Sequence, residues 1–296
     1  MTPPPPLPPP APAPAPEWSP SDLELERRAF RARASRRSVL LALLSTVVFA
    51  ALVAAFVIGT PGWRSVQQTF FDPEVLVSAW PRVIEGLWLN IRVLVVASIG
   101  VAVVGTLLAS VRTLRGPLFF PLRFLAAAYT DVFRGMPLLI VLYLVGFGIP
   151  GLDLFPRMPM EFWGTVALVL TYSAYVSEVL RAGIEAVHPS QRLAARGLGL
   201  GYVASLRLVI LPQALRKVTP ALMNDFVSMQ KDVGLISVLG AVDAVRAAQI
   251  ETSASYNFTP YVLAGLLFVA LAFPTIRLTD WVTARQRRRE QQGSVV

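Results

Sequence analysis

Four stretches of this sequence stay apolar for about as long as a helix needs to cross a lipid bilayer: Val39 to Ile58, Leu87 to Ala109, Phe162 to Leu180 and Tyr261 to Ile276. A crossing takes roughly 20 such residues, and within lipid only a helix or a closed barrel satisfies its own backbone hydrogen bonds. Hydrophobic residues make up 54% of the 296 and charged residues only 15%, against about 25% in soluble domains. The expected fold class is all-α, a polytopic bundle of transmembrane helices.

About six spans are expected, at 38–58, 84–109, 137–149, 162–181, 218–239 and 260–281. The third is short, and residues 118–136 before it read as an interfacial stretch. The fifth is interrupted by Asn224, Asp225, Ser228, Gln230, Lys231 and Asp232, and topology argues for it. Segment 181–217 and the C-terminal tail are both basic, so both belong on the cytoplasmic side. A single crossing at 260–281 would separate them; a further one near 218–239 keeps them together.

The net charge of +9 could suggest a nucleic-acid partner, but its distribution argues for membrane orientation and no nucleic acid. Six arginines (Arg27, Arg28, Arg31, Arg33, Arg36, Arg37) precede the first span, and four (Arg285, Arg287, Arg288, Arg289) follow the last. Arg112, Arg115, Arg123 and Arg134 lie between the second and third spans; Arg181, Arg192, Arg196, Arg207, Arg216 and Lys217 follow the fourth. The alternate loops hold far fewer, among them Arg64, Arg157 and Arg246. Basic residues concentrate in cytoplasmic loops, so both termini are expected inside.

Residues 1–20 are proline-rich and read as an extended, disordered tail, with a ligand for a proline-reading domain as the other reading. Residues 21–60 read as a basic juxtamembrane segment plus the first span, with Ser21 capping a short helix that carries Glu24 and Glu26. Residues 284–296 form a basic tail. The first apolar run exceeds a signal-peptide core and is expected to be retained.

Several chemistries lack their residues. Lys217 and Lys231 are the only lysines and neither follows glycine, so there is no phosphate-binding GxxxxGK[ST] loop. With no cysteine and a single histidine, His188, the common zinc sets are excluded and no metal or cofactor is expected. His188 precedes Pro189 in a basic segment and reads as a turn residue, leaving no catalytic residue to name. Gly146, Gly148 and Gly151 spell GxGxxG but end an apolar span instead of opening a helix after a strand.

The segment from Ser173 to Gly240 is the informative one. Tyr175, Glu178, Arg181 and Glu185 follow one another along a helix, and Glu178 and Arg181 are spaced to pair at the membrane edge. Whether that pair is purely structural or gates a path stays open. From His188 to Gln213 runs a long loop of helical composition interrupted by glycines. Two short helices around a glycine turn would make a knob able to enter a groove on a soluble partner.

This loop resembles the EAA loop of ABC importer permeases. Ala194 and Ala195 stand at its two alanines, Gly199 at its glycine, and Leu211 and Pro212 at its closing Leu-Pro. Gln191 falls in the same stretch, Val209 replaces an isoleucine, and Leu193 stands where the family has glutamate. Tyr129 with Arg134-Gly135-Met136-Pro137, the run Ser173 to Ile184, and Lys231-Asp232-Val233-Gly234-Leu235 are similar to segments of the polar amino acid permease branch. The resemblance spans about residues 80–280, giving a permease domain at 80–283.

The resemblance implies a subunit that is not itself an enzyme, in a bacterial cytoplasmic (inner) membrane. It implies two ATPase subunits docked at EAA loops, a second permease subunit (a copy or a sister chain), and an extracytoplasmic binding protein that delivers a small-molecule substrate. Asn224, Ser228 and Lys231 share one face of the fifth span, with Asp232 beside them. Ionisable groups inside a membrane cost about 2.5–3.5 kcal/mol on insertion scales, so this stripe is expected to line the dimer interface or the translocation route; an internal Lys–Asp bridge is the alternative. An ion-coupled secondary transporter, or an importer of another solute, are the competing functions.

Overall fold

The computed structural model describes residues 21–114, 116–154 and 156–293, with side chains described except at 28–37 and 287–293. The proline-rich tail at 1–20 and residues 294–296 lie outside the described residues, as do the side chains of most of the two terminal arginine clusters and all of Arg115. All regular structure among the described residues is helical. The chain divides into two units, 1–64 and 65–296.

The first unit is built on α1 (Asp22–Ile58). It was expected as a short helix followed by a span; it is one continuous 37-residue helix. Nothing between Ser21 and Ile58 is proline or glycine, so no residue breaks the ladder at the basic segment. Ser21 stands at the N-cap position without a side-chain cap bond. The candidate span within α1 is Ser38–Ile58.

The second unit begins with α2 (Trp63–Phe70) and the 41-residue α3 (Pro73–Thr113). Asp72 caps α3 by accepting from the amides of Glu74 and Val75 at 2.9 and 3.3 Å, and Pro73 follows where no amide is needed. The Asp72 amide donates to Thr259 Oγ1 at 3.0 Å, and Asn257 Nδ2 donates to the Gln68 carbonyl at 2.9 Å. The start of α3 is thereby tied to the start of α11 (Thr259–Gly293).

α4 (Phe120–Gly135) and α5 (Leu138–Tyr143) form an elbow of 109° at Met136-Pro137. Proline forces the preceding residue out of helical geometry, and Met136 is extended. α5 continues through a widened turn at Leu144–Gly148 to a last turn at Pro150–Leu152. The expected short third span falls on Leu138–Leu152, which is long and apolar enough to cross a membrane only together with the angled segment Pro117–Gly135.

α6 (Met160–Glu185) runs through the centre of the unit and packs most extensively on α3. Val93, Leu94, Ala97 and Val101 of α3 meet Ala167, Leu168 and Tyr172 of α6 and Met229 beyond them. Small residues permit the approach: a Cβ on Gly105 would stand 2.9 Å from Val176 Cγ1, the logic of helix packing without a hydrophobic driving force.

After α6 come α7 (Pro189–Gly197), the short α8 (Tyr202–Ser205) and α9 (Leu211–Asp232), which continues as a tightened turn over Val233–Leu239. α10 (Ala244–Ser255) follows at a 50° bend. It was expected as loop. Its polar composition conceals a buried alanine face, Ala244, Ala247 and Ala248, seated on Ala79, Val83 and Leu87 of α3.

Among the described residues three helical stretches are long and apolar enough to cross a membrane, and five if each bent pair counts as one span. α6, the expected fourth span, is not among these stretches, although its 26 residues run about 39 Å at 1.5 Å per residue.

Candidate functional site

α7 opens with His188, whose ring accepts from the Ser190 amide at 3.2 Å while Pro189 takes the first helical position. The turn residue is thus an N-cap. Arg192 ties the helix down by donating to the Ile184 carbonyl at 2.8 Å, and Gln191 accepts from Gln213 Nε2 at 3.3 Å. Ala195 is buried, whereas Ala194 is exposed and Leu193 is 67% exposed. Gly199 ends the helix at φ +77°, a left-handed geometry that only glycine adopts without strain. Leu198 before it is 82% exposed.

The closing Leu211-Pro212 starts α9, both residues exposed. Proline brings no amide to the first turn, and the turn before it, Leu206–Ile210, widens so that the Leu211 amide bonds the Leu206 carbonyl. Beneath the loop, Val187, Ile210 and Ala214 form a small buried cluster. The loop is therefore two short helices around a glycine turn, fixed at its base and apolar at its tip.

The same end of the unit carries a charged cluster around Glu178. Arg181 Nη2 donates to Glu178 Oε1 at 2.6 Å and Arg181 Nη1 to Glu185 at 2.5 Å. Arg112 of α3 donates to Glu178 Oε2 at 2.7 Å, and Arg134 Nη1 lies 3.8 Å from the same oxygen. The Arg134 carbonyl accepts from Tyr175 at 3.3 Å, just before Gly135 and the Pro137 elbow. One carboxylate thereby joins α3, α4 and α6. Arg112 was not among the residues singled out from the sequence; its partner lies 66 positions away.

On α9, Asn224 and Lys231 are exposed and Ser228 half-buried, all on one outward face. Lys231 makes no ion pair among the described residues. Asp232 turns the other way and accepts from Tyr172 of α6 at 2.7 Å. The expected group of four thus separates into a three-residue stripe and an anchored aspartate, and no Lys231–Asp232 bridge forms. Asp225 lines a cavity of about 190 Å³ with Ser98, Tyr172 and Met229, and its Oδ2 is buried without a hydrogen-bond partner among the described residues.

At the opposite end of the unit a second polar junction went unread. Asn90, fully buried in α3, donates to Asp243 Oδ2 at 2.9 Å and to the Val233 carbonyl at 3.3 Å, and accepts from the Ala244 amide at 3.1 Å. Asp243 also caps α10 through the Arg246 amide at 2.8 Å. An asparagine inside an apolar span was the available signal, since such residues need a buried partner. Among the described residues no cluster of His, Cys, Asp or Glu is arranged for a metal.

Residues 102–288 match the family described as the binding-protein-dependent transport system inner membrane component. The chain is 37% identical to the arginine transport system permease protein ArtQ of Bacillus subtilis over 68% of its own length and 90% of that protein's. It is 36% identical to a putative glutamine transport system permease protein, GlnP, of Rickettsia conorii, covering 67% and 91% respectively. A solved amino acid ABC transporter superposes with a TM-score of 0.64 at 33% identity, covering 72% of this chain and 96% of that one. The inward-facing methionine transporter MetNI shares the fold, with a TM-score of 0.55 at 18% identity over 69% and 96%. The protein is thus a permease, an inner membrane component, and belongs to the binding-protein-dependent transport system family.

Proposed function

We propose that this chain is the membrane-spanning subunit of an ATP-driven importer for polar amino acids. The relatives named for arginine and glutamine support the substrate class. The observation that carries the mechanism is the α7 knob: Leu193 and Leu198 stand out at 67% and 82% exposure on a loop anchored by Arg192 and Gln191. A rigid base under an exposed apolar tip suits a helix-in-groove contact. Leu193, replacing the family glutamate, makes that contact apolar instead of ionic.

In this reading two ATPase subunits each receive one α7, and the permease pairs with a copy of itself or with a sister subunit. A binding protein delivers substrate on the opposite side, and both termini are cytoplasmic. Motion at α7 reaches the bundle through α6 and α9, which flank the loop. The Glu178 cluster joins α3, α4 and α6 at that end and so acts in gating as well as in holding the bundle. Asn224, Ser228 and Lys231 line the route or the permease–permease interface, where an unpaired cation can meet a substrate carboxylate. This chain performs no hydrolysis itself.

Affinity purification from native membranes with identification of stoichiometric partners tests the reading. Recovery of an ATPase subunit and a binding protein, with the ATPase lost when Gly199 and its neighbours are replaced, is the expected result. Recovery of neither from membranes rich in intact protein would move an ion-coupled transporter to first place.

A further inference from the structure

Two cavities meet where α3 ends against the loop. The larger, about 460 Å³, is almost wholly apolar, running from Thr106 and Ala109 of α3 to Leu180 of α6 and to Leu211, Leu215 and Val218 of α9. The smaller, about 260 Å³, is mixed in lining and bears Arg112, Arg192 and Arg196 with Glu185. The two share Thr113, Leu114, Ile184, Tyr202 and Leu206 as a common wall. An apolar slot therefore lies against a basic one across these shared residues, at the level where the apolar run of α3 gives way to Arg112.

The charges in the smaller cavity are unequally engaged. Glu185 is held by Arg181 at 2.5 Å, and Arg112 by Glu178 at 2.7 Å. Arg196 makes no ion pair among the described residues. Arg192 donates one Nη to the Ile184 carbonyl, and its buried Nε has no hydrogen-bond partner among the described residues. Donors without acceptors beside an apolar slot call for an anion carrying a hydrocarbon chain. Arginine suits phosphate because its planar fork donates two parallel bonds, and anionic headgroups draw basic residues at the membrane surface.

We infer that this paired cavity binds one anionic phospholipid, its phosphate on Arg192 and Arg196 and one acyl chain in the slot between α3 and α9. The lipid wedges between α3 and the base of the α7 loop, so it braces the loop from the bilayer side. The site is independent of which solute is carried and goes beyond the transport reading above.

The test is native mass spectrometry of the intact complex released from nanodiscs of phosphatidylglycerol or phosphatidylcholine. Wild type is expected to retain one phosphatidylglycerol per permease subunit and no phosphatidylcholine. The double variant Arg192→Gln/Arg196→Gln is expected to lower occupancy at least five-fold, as is Ser110→Phe, which fills the slot from an exposed position whose hydroxyl bonds only the Thr106 carbonyl. A photo-crosslinking residue at Leu215 in otherwise unaltered protein should label lipid. Equal retention of both lipids, unchanged occupancy in all variants, or exclusive crosslinking of Leu215 to another subunit would each overturn the assignment.

Discussion

Arg112 and Glu178 are joined at 2.7 Å between α3 and α6, the two helices that pack most extensively on each other. Their side chains are 12% and 21% exposed, between the surface case, where a pair contributes about 0–1 kcal/mol, and the buried case, where removing one partner costs about 3–5 kcal/mol. Glu178 also holds Arg181, so the two ends of the pair are not equivalent. Glu178→Gln leaves Arg112 without its carboxylate and Arg181 with Glu185 alone, and is expected to cost about 2 kcal/mol. Arg112→Gln leaves Glu178 still paired with Arg181 and is expected to cost about half as much. Thermal unfolding of both variants in the same detergent checks the order; an equal or reversed cost would contradict it.

Gly86 faces the backbone of the turn into α10: a Cβ there would stand 2.4 Å from the Asp243 carbonyl carbon and 2.5 Å from the Ala244 amide nitrogen. Backbone cannot rotate aside as a side chain can. Gly86→Ala is expected to force α3 and α10 apart, break the Asn90–Asp243 bonds and cost about 3 kcal/mol or more. Gly265→Ala, with nothing within 4 Å, is expected to be neutral or slightly stabilising. The yield of monodisperse membrane-extracted protein separates the two.

The bundle was legible because apolar runs of bilayer length admit few other structures, and the glycine and proline marks around α7 predicted its two-helix form. What escaped notice had two causes. α10 reads as polar, and its alanine face matters only because α3 presents Ala79 and Val83 to it. The partners of Asn90 and Glu178 lie 153 and 66 residues away, distances at which spacing says nothing. The expected fifth span rests on charge topology alone, since its polar stripe breaks the apolar signal, and α9 is long and apolar enough only when taken together with α10. Asp232 was grouped with Lys231 by adjacency, yet successive residues on a helix point about 100° apart, and Tyr172 holds the aspartate on the inner face.

Lys231, exposed and without an ion-pair partner among the described residues, is expected to be needed for transport and not for assembly. Lys231→Gln should lower uptake about ten-fold, the equivalent of one hydrogen-bonded charge contact at ~1.4 kcal/mol, while the recovered subunits stay the same. Uptake at the wild-type level in that variant would remove this residue from the route.

Leu193 is expected to be an anchor of the ATPase contact. Burying a leucine contributes about 1.5–3 kcal/mol, so Leu193→Asp should weaken association ten-fold or more, measured by ATPase co-purification at increasing dilution. Unchanged association would move the contact elsewhere on the loop.

The central claim is met most directly by reconstitution. The permease, its co-purified ATPase and its binding protein are placed in proteoliposomes, and entry of labelled arginine and glutamine is followed with and without ATP. The account predicts accumulation that requires ATP and the binding protein together, abolished when the ATPase catalytic base is replaced. Accumulation driven by an ion gradient without ATP would contradict it.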